Sequence, residues 1–213
     1  MINLQNYSFP FSTCEKCDEE GIVQPYSATV NVLICLMIVS FLVQTRTLHA
    51  FILLTTIVVF EAFHACSHMI HMQGSIQSTV THTLAYTMNI AFAWAFYQST
   101  GKRPSMLFVF YMILVVGIDM YCFLNRSFVE YLFTSSLIFV SLLAYYYHAL
   151  PVKVHDSIPN IVAIICVIIA LFVNEMLNCA AWMEWNPHIP YHVVIEGMGA
   201  LLFYTICRAV YTL

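Results

Sequence analysis

Nine histidines stand in a chain of 213 residues that is 61% hydrophobic and only 8% charged. Several fall inside long apolar runs, where a polar side chain needs a partner or a task. Four share a depth: His71 closes the second apolar run, His82 lies just inside the third, and His188 and His192 open the last. Ser67 and His71 are four residues apart, as are His188 and His192, so on helices each pair stacks on one face. Zinc takes imidazole nitrogens at about 2.0–2.1 Å, and three histidines with a position left for water form a common hydrolytic arrangement. His71, His188 and His192 would supply the three, and Ser67 could position the water or donate to a developing oxyanion. His64 and His68 share the second run with His71 and also stand four apart, so spacing does not choose among them. A single histidine in a helix bundle is more often a hydrogen-bonded packing residue than a ligand; two pairs at one depth are what point to a metal.

The elements that position these residues follow from composition. A mean hydropathy of +0.81 and seven Lys plus Arg describe more apolar surface than a soluble core of this size could hide. Runs of roughly 20 apolar residues, the length that crosses about 30 Å of hydrocarbon as a helix, recur seven times. They cover about 28–45, 49–71, 78–98, 105–124, 128–149, 158–181 and 189–211. Polar breaks separate them at Gly101-Lys102-Arg103-Pro104, Asn125-Arg126, Pro151 to Pro159 and Asn186-Pro187. Barrel strands alternate over about ten residues, and these runs do not. The expected fold is all-α, a single seven-helix transmembrane bundle over 1–213, with 1–27 as an acidic lumenal segment.

Basic residues set the expected orientation. Arg46, Lys102, Arg103, Lys153 and Arg208 fall on the C-terminal side, against Lys16 and Arg126 opposite, which places the C-terminus in the cytosol and the N-terminus in the lumen. The first residues lack the basic and apolar segments of a cleavable signal. The histidine-bearing ends then face the lumen. A retinal photoreceptor is disfavoured, because the only lysines are Lys16, Lys102 and Lys153, none of them within a run. No inverted repeat or paired broken helix suggests a transporter. Glu61, Asp119 and Glu175 lie within runs and must be paired, protonated or facing a wet cavity, but their positions name no reaction.

Several short motifs resemble the alkaline ceramidases. Cys17-Asp18-Glu19-Glu20-Gly21-Ile22-Val23-Gln24-Pro25-Tyr26 looks like the cysteine, acidic pair and Pro-Tyr before that family's first helix. Ser67-x-x-x-His71 is similar to its second-helix motif, Phe172-Val-Asn174 leading to Cys179 to its sixth helix, and His188-Ile-Pro-Tyr-His192 with Gly197-Met-Gly199 to its seventh. The wider superfamily includes the adiponectin and progestin receptor relatives. The resemblance implies zinc on His71, His188 and His192, with Ser67 beside the metal water. Where the family has an aspartate, this chain has His82, which would be either a neutral base or a fourth ligand closing the site. Glu196, four residues beyond His192, could orient that ring.

The resemblance also implies a calcium site at Glu15, the Lys16 carbonyl, Asp18, Glu20 and Thr29, where Thr29 replaces a carboxylate and Glu20 an asparagine. Read without it, these residues form a solvated acidic loop. It further implies a disulfide between Cys17 and Cys179 in an oxidising compartment. The implied activity is a zinc-dependent amidohydrolase of the endoplasmic reticulum or Golgi membrane, cleaving ceramide-like lipids to a sphingoid base and a fatty acid. Its partners would be the bilayer and its lipid substrate, with no nucleic acid. The competing expectation is a non-catalytic, zinc-stapled lipid sensor of the same superfamily.

Overall fold

Apolar runs with short polar breaks fold into helices because, away from water, only a helix satisfies its own backbone within one segment. A computed structural model describes residues 22–70, 74–125 and 128–213. Among these residues there are seven helices and no strand: α1 (Pro25–Leu42), α2 (Leu48–Met69), α3 (Gly74–Thr100), α4 (Met106–Asn125), α5 (Phe128–Tyr146), α6 (Val152–Trp185) and α7 (Tyr191–Val210). α1 packs on α2 and α7, α2 on α3, α3 on α5, α5 on α6 and α6 on α7, which closes a ring; α4 packs on α5.

Five helices, α1, α2, α4, α6 and α7, are long and apolar enough to cross a membrane. α5 has a shorter apolar stretch, Glu130–Tyr146. α3 is more polar, yet its exposed threonines satisfy themselves: Thr83 Oγ1 donates to the Thr79 carbonyl at 2.8 Å and Thr87 Oγ1 to that of Thr83 at 2.9 Å. The polarity of the bundle runs inside out relative to a water-soluble protein. Leu33, Leu36, Leu107, Phe110, Ile113 and Leu177 are exposed, whereas Glu61, Asp119, Glu175 and Glu196 are buried. An apolar exterior of this extent around buried carboxylates marks a membrane-associated chain.

Helix limits differ from the sequence expectation in three informative places. The stretch from Pro151 to Pro159 is a break in the sequence reading, but α6 begins at Val152 and runs through Pro159. Pro151 is its N-cap, and Val154, Ile158, Ile161, Ile165 and Ile169 form a buried stripe at helical spacing that continues the helix past the exposed proline. α2 stops at Met69, with Ile70 extended (φ −118°, ψ 147°). Its last carbonyls are taken by the chain entering α1: Gln24 N–H donates to the His68 carbonyl at 2.9 Å and Val23 N–H to that of Met69 at 3.4 Å. α7 starts at Tyr191 because Pro190 caps it (φ −57°, ψ 141°) and disfavours helix in the residue before it.

The two ends of the bundle differ. At one end Lys102 Nζ donates to the Tyr145 carbonyl, Thr47 Oγ1 donates to that of Leu213, and Lys153 Nζ lies 4.1 Å from the Tyr211 ring centroid. The end of α2, the end of α6 and the start of α7 lie at the other. Gly101 terminates α3 at φ 67°, with its N–H donating to the Tyr97 carbonyl at 2.8 Å. That left-handed backbone favours glycine. Gly101→Ala is expected to cost about 1 kcal/mol, seen as a lowered melting temperature of the detergent-purified protein; an unchanged temperature would show that the turn does not need glycine.

Candidate metal centre

The last two turns of α2 present Glu61, His64 and His68 at spacings of three and four, which puts them along one face. The first turns of α7 present His192 and Glu196, four apart. α6 adds Glu175 near its end, and Gln24 precedes α1. Glu61, His68, Glu175, His192 and Glu196 are all buried.

Three imidazoles converge through one atom type. Glu196 Oε1 lies 3.0 Å from His192 Nε2, 3.3 Å from His68 Nε2 and 3.6 Å from His64 Nε2. The Nε2 atoms of His64 and His68 are 3.1 Å apart. Ligand atoms of His64, His68 and Glu196 all lie within 4.8 Å of one another, a geometry that could hold a metal ion.

The outer nitrogens are equally ordered. Glu61 Oε2 faces His64 Nδ1 at 3.2 Å, Glu175 Oε2 faces His192 Nδ1 at 3.0 Å, and Gln24 Oε1 faces His68 Nδ1. An amide or ionised carboxylate oxygen accepts, so each Nδ1 is placed to donate outward, and a neutral ring that does so turns its Nε2 lone pair inward. Metal-ligating histidines are commonly held this way, with the second nitrogen donating to a carboxylate or carbonyl. His192 Nε2 is buried without a hydrogen-bond partner of acceptable geometry, which a cation at the centre would supply. Two imidazole nitrogens and one carboxylate oxygen, with His192 Nε2 3.0 Å from that oxygen, are donors of the type that zinc accepts.

The sequence-derived residues divide between this centre and other places. His192 is in it. His71 lies outside the described residues, and the helix that would have stacked it over Ser67 ends at Met69. Ser67 is buried, and its Oγ donates to the His64 carbonyl at 2.7 Å within α2. His188 lies in the turn before α7 and is exposed, so it does not share a helical face with His192. Glu196 faces the inward Nε2 of His192, while Glu175 holds the outward Nδ1. The orienting carboxylate is thus Glu175, a residue without a role in the sequence reading.

His82 is buried among α3, α4 and α5. Its Nδ1 lies 3.0 Å from the Tyr131 hydroxyl and its ring stacks on Phe123 at 4.1 Å between centroids. Thr29 is exposed, with Oγ1 donating to the Pro25 carbonyl at 2.8 Å. Glu15, Lys16, Cys17, Asp18 and Glu20 lie outside the described residues. Cys179 is buried near the end of α6 and is disulfide-bonded. His64-x-x-x-His68 and His192-x-x-x-Glu196 are helical faces by their spacing in the sequence; α1 packs on both α2 and α7, which carry them. No family model, characterised protein or solved structure matches this chain.

Metal analysis of the purified protein is expected to find about one divalent ion per chain, lost in His68→Ala and in His192→Ala. Glu175→Gln and Glu61→Gln should retain the ion but weaken its binding by roughly 10–100-fold in chelator competition. Full metal content in both alanine variants would remove these residues from any metal site.

Proposed function

We propose that this chain is a zinc-dependent membrane amidohydrolase whose substrate is the amide bond of a ceramide-like lipid, with a sphingoid base and a fatty acid as products. The observation that carries the metal part is the convergence of the His64, His68 and His192 Nε2 atoms on Glu196, each ring held from behind by Gln24, Glu61 or Glu175. The amide substrate rests on the motifs resembling alkaline ceramidases. His192 belongs both to this set and to the triad that the resemblance implies.

His64, His68 and His192 would hold the zinc ion, whose chemistry there would be polarisation of a carbonyl and a water made nucleophilic near neutral pH. The chain supplies the rest. The three imidazoles fix the position of the charge, and their outer acceptors prevent the rings from turning. Glu196 Oε1 is close enough to the centre to accept the proton of an attacking water and return it to the leaving amine. Ser67 has its hydroxyl committed to the His64 carbonyl, and an oxyanion role requires that bond to be exchanged. His82 has its described partners among α3, α4 and α5, so the reading assigns it neither the base nor the fourth ligand.

The same carboxylate supports a second reading. If Glu196 binds the metal as its fourth ligand, the site is closed and structural, which suits a lipid sensor. Further parts of the proposal are seven membrane spans, a lumenal N-terminus in an endoplasmic reticulum or Golgi membrane, a Cys17–Cys179 disulfide, and calcium at Glu15, Lys16, Asp18, Glu20 and Thr29.

Ceramide hydrolysis by the purified protein in detergent tests the enzyme reading. Activity is expected in the native chain and should fall by at least about a hundredfold in Glu196→Gln with metal content kept, as for loss of a general base. A native chain that holds zinc and leaves ceramide intact would favour the sensor; Glu196→Gln that loses the metal would make this residue a ligand.

A further inference from the structure

A second polar centre lies between α3, α4 and α5, built on residues separate from the metal cluster. Asp119 on α4 is 1% exposed. It accepts from the Tyr86 hydroxyl, the Thr134 hydroxyl and the Ser135 hydroxyl, each at 2.7 Å. Those three donors are neutral. An ionised carboxylate has about four acceptor positions, so three hydroxyls leave room for one more donor.

Asp119 also lines a cavity of about 200 Å³. That volume holds about seven water-sized groups. Its walls are mostly apolar, with Phe92, Ile138, Phe139, Leu202 and Ile206 among them. The polar remainder includes unpartnered atoms. His82, 6% exposed, lines the cavity and has a buried Nε2 with no hydrogen-bond partner. Asn89 lines it too, with its Nδ2 donating to the Ala85 carbonyl at 3.1 Å and its Oδ1 buried without a partner. His82, Tyr86 and Asn89 stand at helical spacings of four and three, so they form one polar stripe along α3.

A carboxylate with a spare position and an unpartnered amide oxygen, set into apolar walls, complement a ligand that brings donors and positive charge on an apolar stem. The size excludes a large head. We propose that this cavity binds the head and first methylenes of a single-chain amphiphilic primary amine, with its ammonium donating to Asp119. A buried carboxylate paired only with hydroxyls gains most from a charged donor, because charge-assisted hydrogen bonds are roughly twice as strong as neutral ones. An alcohol of equal length offers one donor and no charge; a carboxylic acid brings a like charge.

The test uses the full-length purified protein at fixed detergent with hexylamine, hexanol and hexanoate as probes. Hexylamine is expected to raise the melting temperature saturably, with hexanol weaker by at least about tenfold in half-saturating concentration and hexanoate without effect. Asp119→Asn, which keeps an acceptor for Thr134 and Ser135, should bring hexylamine down to the level of hexanol. Ser136→Leu fills the cavity without touching Asp119 and should abolish the response to hexylamine. An equal response to hexanol and hexylamine, or a hexylamine response unchanged in either variant, overturns the proposal. If Asp119→Asn does not fold, Ser136→Leu alone decides.

Discussion

In a bundle whose outside is apolar, a polar atom turned inward finds its partner in the protein or remains unpaired. This constraint organises the chain. Each unsatisfied group in such a medium costs several kcal/mol, of order the whole effect of a severe core mutation. The interior accordingly carries its polar groups in sets: Asp119 with three hydroxyls, His192 with Glu175, His64 with Glu61, His68 with Gln24. Threonines that face outward fold back onto their own helices. Helix packing then serves to bring complementary members of these sets together.

The end of the bundle that holds the histidines shows how local and long-range constraints meet. The Gln24 backbone N–H caps the His68 carbonyl while its side-chain oxygen takes the His68 Nδ1, so one residue before α1 both ends α2 and orients a ring on it. Pro190 starts α7 where His192 falls in its first turn and beside α6, within reach of Glu175. The Asn174 amide donating to the Tyr191 hydroxyl at 2.6 Å fastens the same two helices one residue away on each. None of these contacts is strong alone. Together they leave the three rings little freedom to turn, which is what preorganises a ligand set.

The helices were legible in the sequence because apolar length is a local property, and each of the seven runs corresponds to a helix. Limits failed where a partner decides them. Nothing local to Ile70 announces that the segment before α1 takes the last carbonyls of α2, and the isoleucine stripe that carries α6 through Pro159 competes with a proline that reads as a break. The site was legible only in part for the same reason. His64, His68 and His71 are interchangeable by spacing, and the choice among them depends on which helix packs opposite. Glu61 and Glu175 were recognisable as buried carboxylates needing partners; which histidine each would serve is a tertiary fact. Gln24, a neutral residue outside the helices, carried no signal at all.

The charge of the cluster can be balanced by protons or by a metal ion. Three carboxylates, Glu61, Glu175 and Glu196, surround three imidazoles, and the described Lys and Arg residues lie outside the cluster. Protons added to the rings could balance the charge. They would have to reside on the inward Nε2 atoms, since every Nδ1 proton is already placed by an outer acceptor. The His64 and His68 Nε2 atoms are 3.1 Å apart, so the space between them takes one proton and not two. A single Glu196 oxygen then serves as the shared acceptor for three rings, and His192, the nearest to it, still lacks a hydrogen bond of good geometry. A cation at His64, His68 and Glu196, whose ligand atoms lie within 4.8 Å of one another, would take up the inward lone pairs of those two rings and the carboxylate oxygen together, and the outer acceptors would raise the basicity of the rings.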